Sequence, residues 1–371
     1  NVPQQDSLFV ERQRKAGVII MGKSNVPEFG MGSQTFNAVF GPSFNPYDIT
    51  KTCGGSTGGG AIALACGMAP LVDGSDMAGS LRNPGSFNNV VGLRPSPGRV
   101  PSVTGKFAWS GGLSTSGPMA RTVSDCALLL SIQAGPDSRS PLSIMESPEQ
   151  FAKPLDRSMK GVKVAFVKDI GLPFEKEVKD SFEAQGKVFE SLGCIVEEAE
   201  PDMTDANECF VGFRHWQYEN QYGDTLEANS DKMNDYVKWH VAEGRKLTGP
   251  YMSRLEAKRS ALFRRMQVFL EKYEFIIMPV SQVLPFDVRT PYPTEIAGVK
   301  MLTYLDWMRS AYYISAVGNP AMSVPAGFSK GGLPIGIQIV GRYNFDFSVL
   351  QMGFAFEQAT KVGEKRPGVV G

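Results

Sequence analysis

The stretch Cys53-Gly54-Gly55-Ser56-Thr57-Gly58-Gly59-Gly60 places five glycines and two hydroxyls in eight positions. Such a run constrains a fold strongly, because glycine lets backbone turn at positive φ and approach other groups where a Cβ would clash. Three devices match it. Gly58 to Ala63 reads as a dinucleotide-binding G-x-G-x-x-A, and Gly54 to Gly58 as the G-x-S-x-G elbow of a serine hydrolase. The third is a loop that presents one hydroxyl beside a second catalytic hydroxyl further along the chain.

The flanking elements discriminate among them. Asp6 is expected to cap a helix running to Lys15, and Gly17 to Gly22 (GVIIMG) reads as a buried strand. Residues 24–53 read as a long irregular loop, 58–68 as a short buried helix, and 69–72 as a strand entering the turn 73–80. An α/β rhythm follows. Helix 122–134 is capped by Thr122, and strand 162–167, helix 175–192 and strand 194–200 form a βαβ unit. Residues 205–273 read as mostly helical, 275–280 as a buried strand, and 302–316 as a helix. Strands 321–328 and 333–341 pair across the Lys330-Gly331-Gly332 turn, and a last helix spans 346–361. The expected architecture is α/β, one large domain over 1–371 with a mixed sheet covered by helices.

The dinucleotide reading needs a hydrophobic strand directly before the glycines, and "NPYDITKT" is polar and broken by Pro46. Asp73 follows too closely for the acidic residue expected ~20 positions on. The elbow wants a general-base histidine near the C-terminal end. The chain has only His215 and His240, both within expected helices, where they read as packing or surface residues. The third device finds its second hydroxyl in "GSDMAGSLRNP" (74–84). Small residues before Ser80 let successive N–H groups turn inward as an anion-binding nest, as the oxyanion of an acyl-transfer intermediate requires.

The blocks "GGSTGGGAIALACGMAPLVDGSDMAGSLRNPGSF" and "NVVGLRP" resemble the signature of the amidase signature family. The spacing of Ser56 and Ser80, 24 residues, is similar to that of the family's serines. The likeness extends upstream through "LFVERQRKAGVIIMGKSNVPEFGMGSQTFN", and downstream through "GRVPSVTGKFAWSGGLSTSGPMARTVSDCALLL" and "AMSVPAGFSKGGLPIGIQIVGR". It implies Ser80 as the nucleophile and Ser56 as a bridging serine after a cis Gly55–Ser56 peptide. The oxyanion hole is then expected from the amides of Met77, Ala78, Gly79 and Ser80, with Gly55, Thr57, Asp76 and Arg82 in support. Residue 57 is Thr where the family commonly has Ser, and residue 78 is Ala where Gly is common.

The resemblance also implies a neutral lysine as base, located upstream of the segment that residues 1–22 match, so the domain is expected to be N-terminally incomplete. Lys23 is read as a loop anchor and Lys51 as a solvated loop charge. The implied activity is hydrolysis of a carboxylic amide through a Ser80 acyl-enzyme, with a small-molecule amide as substrate and neither metal nor organic cofactor. Two alternatives stand beside it: the glutaminase component of a tRNA-dependent amidotransferase, and a catalytically dead amidase-like binding protein. A homodimer is compatible with the sequence. Phe107, Trp109, Met119, Trp307 and Tyr312 are candidates for an acyl pocket or for core.

Composition limits the partners. Lys plus Arg equals Asp plus Glu at 38 each, so no net field favours nucleic acid or anionic lipid outside the amidotransferase case. No apolar run approaches the ~18 residues of a membrane helix. Cys53, Cys66, Cys126, Cys194 and Cys209 are odd in number and dispersed, without a C-x-x-C pair. That pattern points to reduced thiols in a cytoplasm and away from disulfides or zinc.

Overall fold

The computed structural model describes residues 4–103, 106–109 and 113–370. Its centre is an eight-stranded mixed sheet. In chain order the strands are β1 (Leu71–Asp76), β2 (Val91–Arg94), β3 (Thr115–Ala120), β4 (Lys163–Phe166), β5 (Ile195–Glu198), β6 (Phe275–Pro279), β7 (Ala321–Phe328) and β8 (Pro334–Gly341). Across the sheet they run β1-β3-β2-β7-β8-β6-β4-β5. The β6-β4 and β4-β5 pairs are parallel, as a βαβ unit demands, and the other neighbours are antiparallel.

Eleven α-helices lie among the described residues: α1 (Leu8–Lys15), α2 (Gly58–Ala65), α3 (Arg82–Phe87), α4 (Val123–Gln133), α5 (Lys176–Glu183), α6 (Gly186–Ser191), α7 (Ala206–Asn229), α8 (Asp235–Gly244), α9 (Gly249–Lys272), α10 (Arg309–Val317) and α11 (Asp346–Thr360). Strand periodicity explains why both faces of the sheet are covered. Ile276 and Met278 of β6 enter one apolar core, with α7, α8, α9 and α10, while Phe275 and Ile277 enter the other, with α4 and α11. Thr122 caps α4 by accepting the Asp125 N–H at 3.1 Å.

The expected α/β architecture holds, with local corrections. Segment 17–22 is not a strand: Ile19 is 86% exposed and Met21 76%, and no described strand pairs with it. An apolar run becomes a buried strand only where a partner ladder and a covering layer exist. Residues 24–53 are not wholly irregular, because Phe36–Asn37 pairs with Gly41–Pro42 and Phe44–Asn45 with Asp48–Thr52. Helix 175–192 divides into α5 and α6, and 302–316 begins with a 3-10 turn at Asp306–Met308 before α10. The first helix is preceded by Ser7 as N-cap residue, and Asp6 pairs with Arg14.

Candidate active site

The glycine run leaves the short strand Asp48–Thr52 and enters α2. Its bare backbone serves close packing. The Gly59 N–H donates to Asn25 O at 3.2 Å, and a Cβ on Gly59 would lie 2.6 Å from both the N and O of Asn25. The Gly55–Ser56 peptide is cis, as the family resemblance implies. Three side chains brace the loop. Ser33 Oγ donates to Gly55 O at 2.5 Å, Thr35 Oγ1 donates to Gly54 O at 2.9 Å, and Asn83 Nδ2 donates to Ser33 Oγ at 3.0 Å.

Ser80 is presented by the turn that joins β1 to α3. Gly79 holds φ +101° there, and a Cβ on it would fall 2.6 Å from Ala311 Cβ and 2.7 Å from Asn83 Nδ2. Only glycine fits both the torsion and the space. Asp76, at the end of β1, fastens the turn from below. Its Oδ1 accepts the Gly79 N–H at 3.0 Å, its Oδ2 accepts the Leu81 N–H at 3.2 Å, and Arg82 grips both oxygens at 2.9 and 3.0 Å. Arg94 adds a second cation at 3.4 Å and bonds the Asp76 carbonyl. Burial alone would raise the Asp76 carboxyl, but Arg82 and Arg94 outweigh it and hold it far below the usual carboxylate range. Burial likewise brings the Arg94 guanidinium down to about 10.

One of the four amides expected in the oxyanion hole, that of Gly79, already has a partner. It is committed to Asp76, whose carboxylate reaches into the turn. The amides of Met77, Ala78 and Ser80 make no hydrogen bond to a described residue. These residues, Ser56 and Ser80 line one cavity of about 460 Å³, together with Phe107 and Arg214. Ser56 is 6% exposed and Ser80 8%. The two loops are tied by the Thr57 N–H, which donates to Ser80 O at 3.2 Å.

The structure places the other candidates as follows. Of the proposed acyl-pocket residues, Phe107 lines the cavity, stacked on Trp216 at 4.7 Å. Met119, Trp307 and Tyr312 are core, and the largely exposed Trp109 borders a separate cavity of about 880 Å³. His215 and His240 are buried and meet each other, and His240 also meets Arg214 and Tyr304, so neither is bonded to a serine. No hydrogen bond among the described residues joins Lys23 or Lys51 to Ser56, and Lys51 lies on a bridge with Asp287. The lysine of the cavity wall, Lys106, bonds Asn220 O at 2.8 Å. The braces Ser33, Thr35 and Asn83 and the cation Arg94 are not identifiable from the sequence pattern alone. Arg94 lies within the "NVVGLRP" block, which is the one signal pointing to it.

Comparison with known proteins places this geometry in a family. The profile of the Amidase family matches residues 1–350. The A-subunit of glutamyl-tRNA(Gln) amidotransferase from Alkaliphilus metalliredigens is 35% identical, over 99% of this chain and 79% of its own. An acylamidase of Rhodococcus erythropolis is 33% identical, over 99% of this chain and 77% of its own. Among solved structures, a bacterial aryl acylamidase of the amidase signature family superposes with a TM-score of 0.90 at 25% identity, covering 99% of this chain and 79% of that one. The amidotransferase A-subunit from Thermotoga maritima gives 0.78 at 29% identity, covering 95% and 76%. In the described residues, no helix is long and apolar enough to cross a membrane. The chain belongs to the amidase signature family.

Proposed function

We propose that this amidase cleaves its amide with Ser80 as nucleophile and Ser56 as proton relay. Ser80 Oγ attacks the amide carbon as Ser56 takes its proton and passes its own to a neutral lysine. The carbonyl oxygen, now negative, is received by the amides of Met77, Ala78 and Ser80. Ser56 then protonates the leaving nitrogen, the C–N bond breaks, and water hydrolyses the ester to carboxylate and free Ser80. Asp76, Arg82 and Arg94 hold the turn without touching the substrate. The observation that carries this reading is that Ser56, Ser80, Met77 and Ala78 line one cavity, and that the amides of Met77, Ala78 and Ser80 make no hydrogen bond to a described residue. The test is fluorophosphonate labelling followed by peptide mapping: label on Ser80, lost in Ser80→Ala, is expected. Full labelling or turnover in Ser80→Ala would reject the assignment.

A linear amide of a free-standing acylamidase is the substrate class we favour, on the closer superposition with the aryl acylamidase. The glutaminase role in an amidotransferase is the second reading, supported by the 35% identity to an amidotransferase A-subunit. Glutamine turnover together with copurification of a partner protein would select the second; aryl-amide turnover by the protein alone, the first. A homodimer belongs with the first reading and is checked by light scattering. The five cysteines are free thiols, and we assign the protein to a reducing, cytoplasmic compartment on that ground.

A further inference from the structure

Arg214 of α7 is 2% exposed and stands in the wall of the Ser80 cavity. A guanidinium so buried ordinarily meets a carboxylate. Here its hydrogen bonds go to neutral groups. Nε donates to His240 Nε2 at 3.1 Å, Nη2 to the Tyr304 hydroxyl at 3.1 Å and to Met31 Sδ at 3.6 Å, and Nη1 to Met77 Sδ at 2.8 Å. The Tyr218 ring lies against its face, 4.5 Å from the centroid.

The network assigns its own protons. The Tyr304 oxygen accepts from Arg214 Nη2, so the Tyr304 proton is free to go to His240 Nε2, 2.6 Å away. Arg214 Nε is a donor only, and it points at the same nitrogen. His240 Nε2 is therefore the bare acceptor, and the His240 proton sits on Nδ1. That proton goes to His215 Nδ1, 2.9 Å away, which leaves the His215 proton on Nε2. Both imidazoles are neutral in this arrangement. Burial favours the same state. It lowers His215 to about 4, and it holds His240 well below the ordinary imidazole value with Arg214 and His215 adding to the effect.

We propose that His240, aided by Tyr304, is a positioning residue for amide hydrolysis: as a neutral acceptor it fixes the Arg214 guanidinium in the cavity wall against Met77, the first residue of the turn that carries Ser80. The inference rests on Ser80 as nucleophile. Its physical basis is electrostatic. A carboxylate in place of His240 would hold the arginine as firmly and cancel its field. A neutral imidazole and a phenol hold it and leave the charge uncancelled. When Ser80 attacks, negative charge develops in a cavity partly shielded from water, and a cation already fixed there stabilises it without reorganisation. The contact with Met77 also fixes the side chain next to one of the free amides.

The test compares His240→Phe, His240→Gln, Arg214→Met and the double variant His240→Phe/Arg214→Met in the full-length enzyme, on one amide substrate. His240→Phe is expected to lower kcat by about tenfold or more while KM stays within about twofold. Gln, whose Oε1 supplies an acceptor near the position of Nε2, is expected to restore kcat to within about threefold of wild type. If His240 acts through Arg214, the double variant is no slower than Arg214→Met. Tyr304→Phe keeps the packing and removes one hydroxyl; it is expected to lose kcat in the same direction, and it decides the matter if His240→Phe does not fold. Unchanged kcat in His240→Phe or Tyr304→Phe, failure of Gln to rescue, or losses that multiply in the double variant would overturn the inference. Ser80→Ala run in parallel tests the nucleophile separately, because its residual activity does not depend on the His240 variants.

Discussion

The Thr57 N–H donates to the carbonyl oxygen of Ser80 at 3.2 Å, and this one bond joins the loop that carries Ser56 to the turn that carries Ser80. The two hydroxyl-bearing segments are separated by α2 and β1 in the chain, yet they form one wall of one cavity. Neither hydroxyl takes part in that bond or in the Asn83–Ser33–Gly55 brace, so either side chain can be removed with both links intact. Ser80→Ala should therefore abolish acyl-enzyme formation, and Ser56→Ala should slow turnover by about 10²–10⁴-fold. Both should melt close to wild type. Steady-state kinetics with a thermal melt on each variant checks this; a silent Ser56→Ala would make the hydroxyl pair incidental.

Gly79 is the steric weak point of the turn. At φ +101°, with Ala311 Cβ 2.6 Å from the place an added methyl would take, Gly79→Ala should cost about 1–3 kcal/mol and reduce turnover, because Ser80 is the next residue. Chemical denaturation reads the first effect, and an unshifted midpoint would contradict it.

Asp76 faces two buried arginines, so Asp76→Asn leaves their charges uncompensated and should destabilise by about 3–5 kcal/mol. The pH dependence has a definite sign. The folded-state value of Asp76 is depressed, so its stabilisation is complete above the ordinary carboxylate value of 3.8 and is lost as pH falls through the depressed one. The gap between wild type and Asp76→Asn should thus persist at pH 5 to 8, taking that range as about the usual stability optimum. It should close only in strong acid. Urea titrations at several pH values measure it, and a gap already closed at mildly acidic pH would argue against the ion triad.

His215 and Glu357 should tilt stability in opposite directions. His215 is lowered from 6.5 to about 4, chiefly by burial, so the unfolded chain binds its proton first and stability falls as pH drops from 6.5 to 4. At full protonation the loss is on the order of 3 kcal/mol. Glu357 is raised from 4.5 to about 7, again chiefly by burial, so its contribution is lost as pH rises from 4.5 to 7. His215→Phe should flatten the acid limb of the stability profile, and Glu357→Gln the neutral limb. A profile unchanged by both substitutions would refute the two assignments.

The sequence by itself determined the sheet-and-helix alternation, the glycine loops and the two serines. Each of these is a local property: alternation in Phe275–Pro279 follows from the period of a strand, and the glycines of 53–60 and 74–79 mark backbone that no side chain could replace. Other features were decided only by the tertiary structure. The sequence does not mark Arg94, Arg99 and Arg214 as buried among its basic residues, nor show that the Gly79 amide would be bonded to Asp76. It does not bring Tyr304 to His240, 64 positions away, or Ser33 to Gly55 across 22. It also made 17–22 look like core, although Ile19 and Met21 stand exposed. Hydrophobic pattern and backbone torsion are written residue by residue. Which charge is desolvated, which amide is already bonded and which apolar run finds a partner depend on groups distant in the chain, and only packing brings those together.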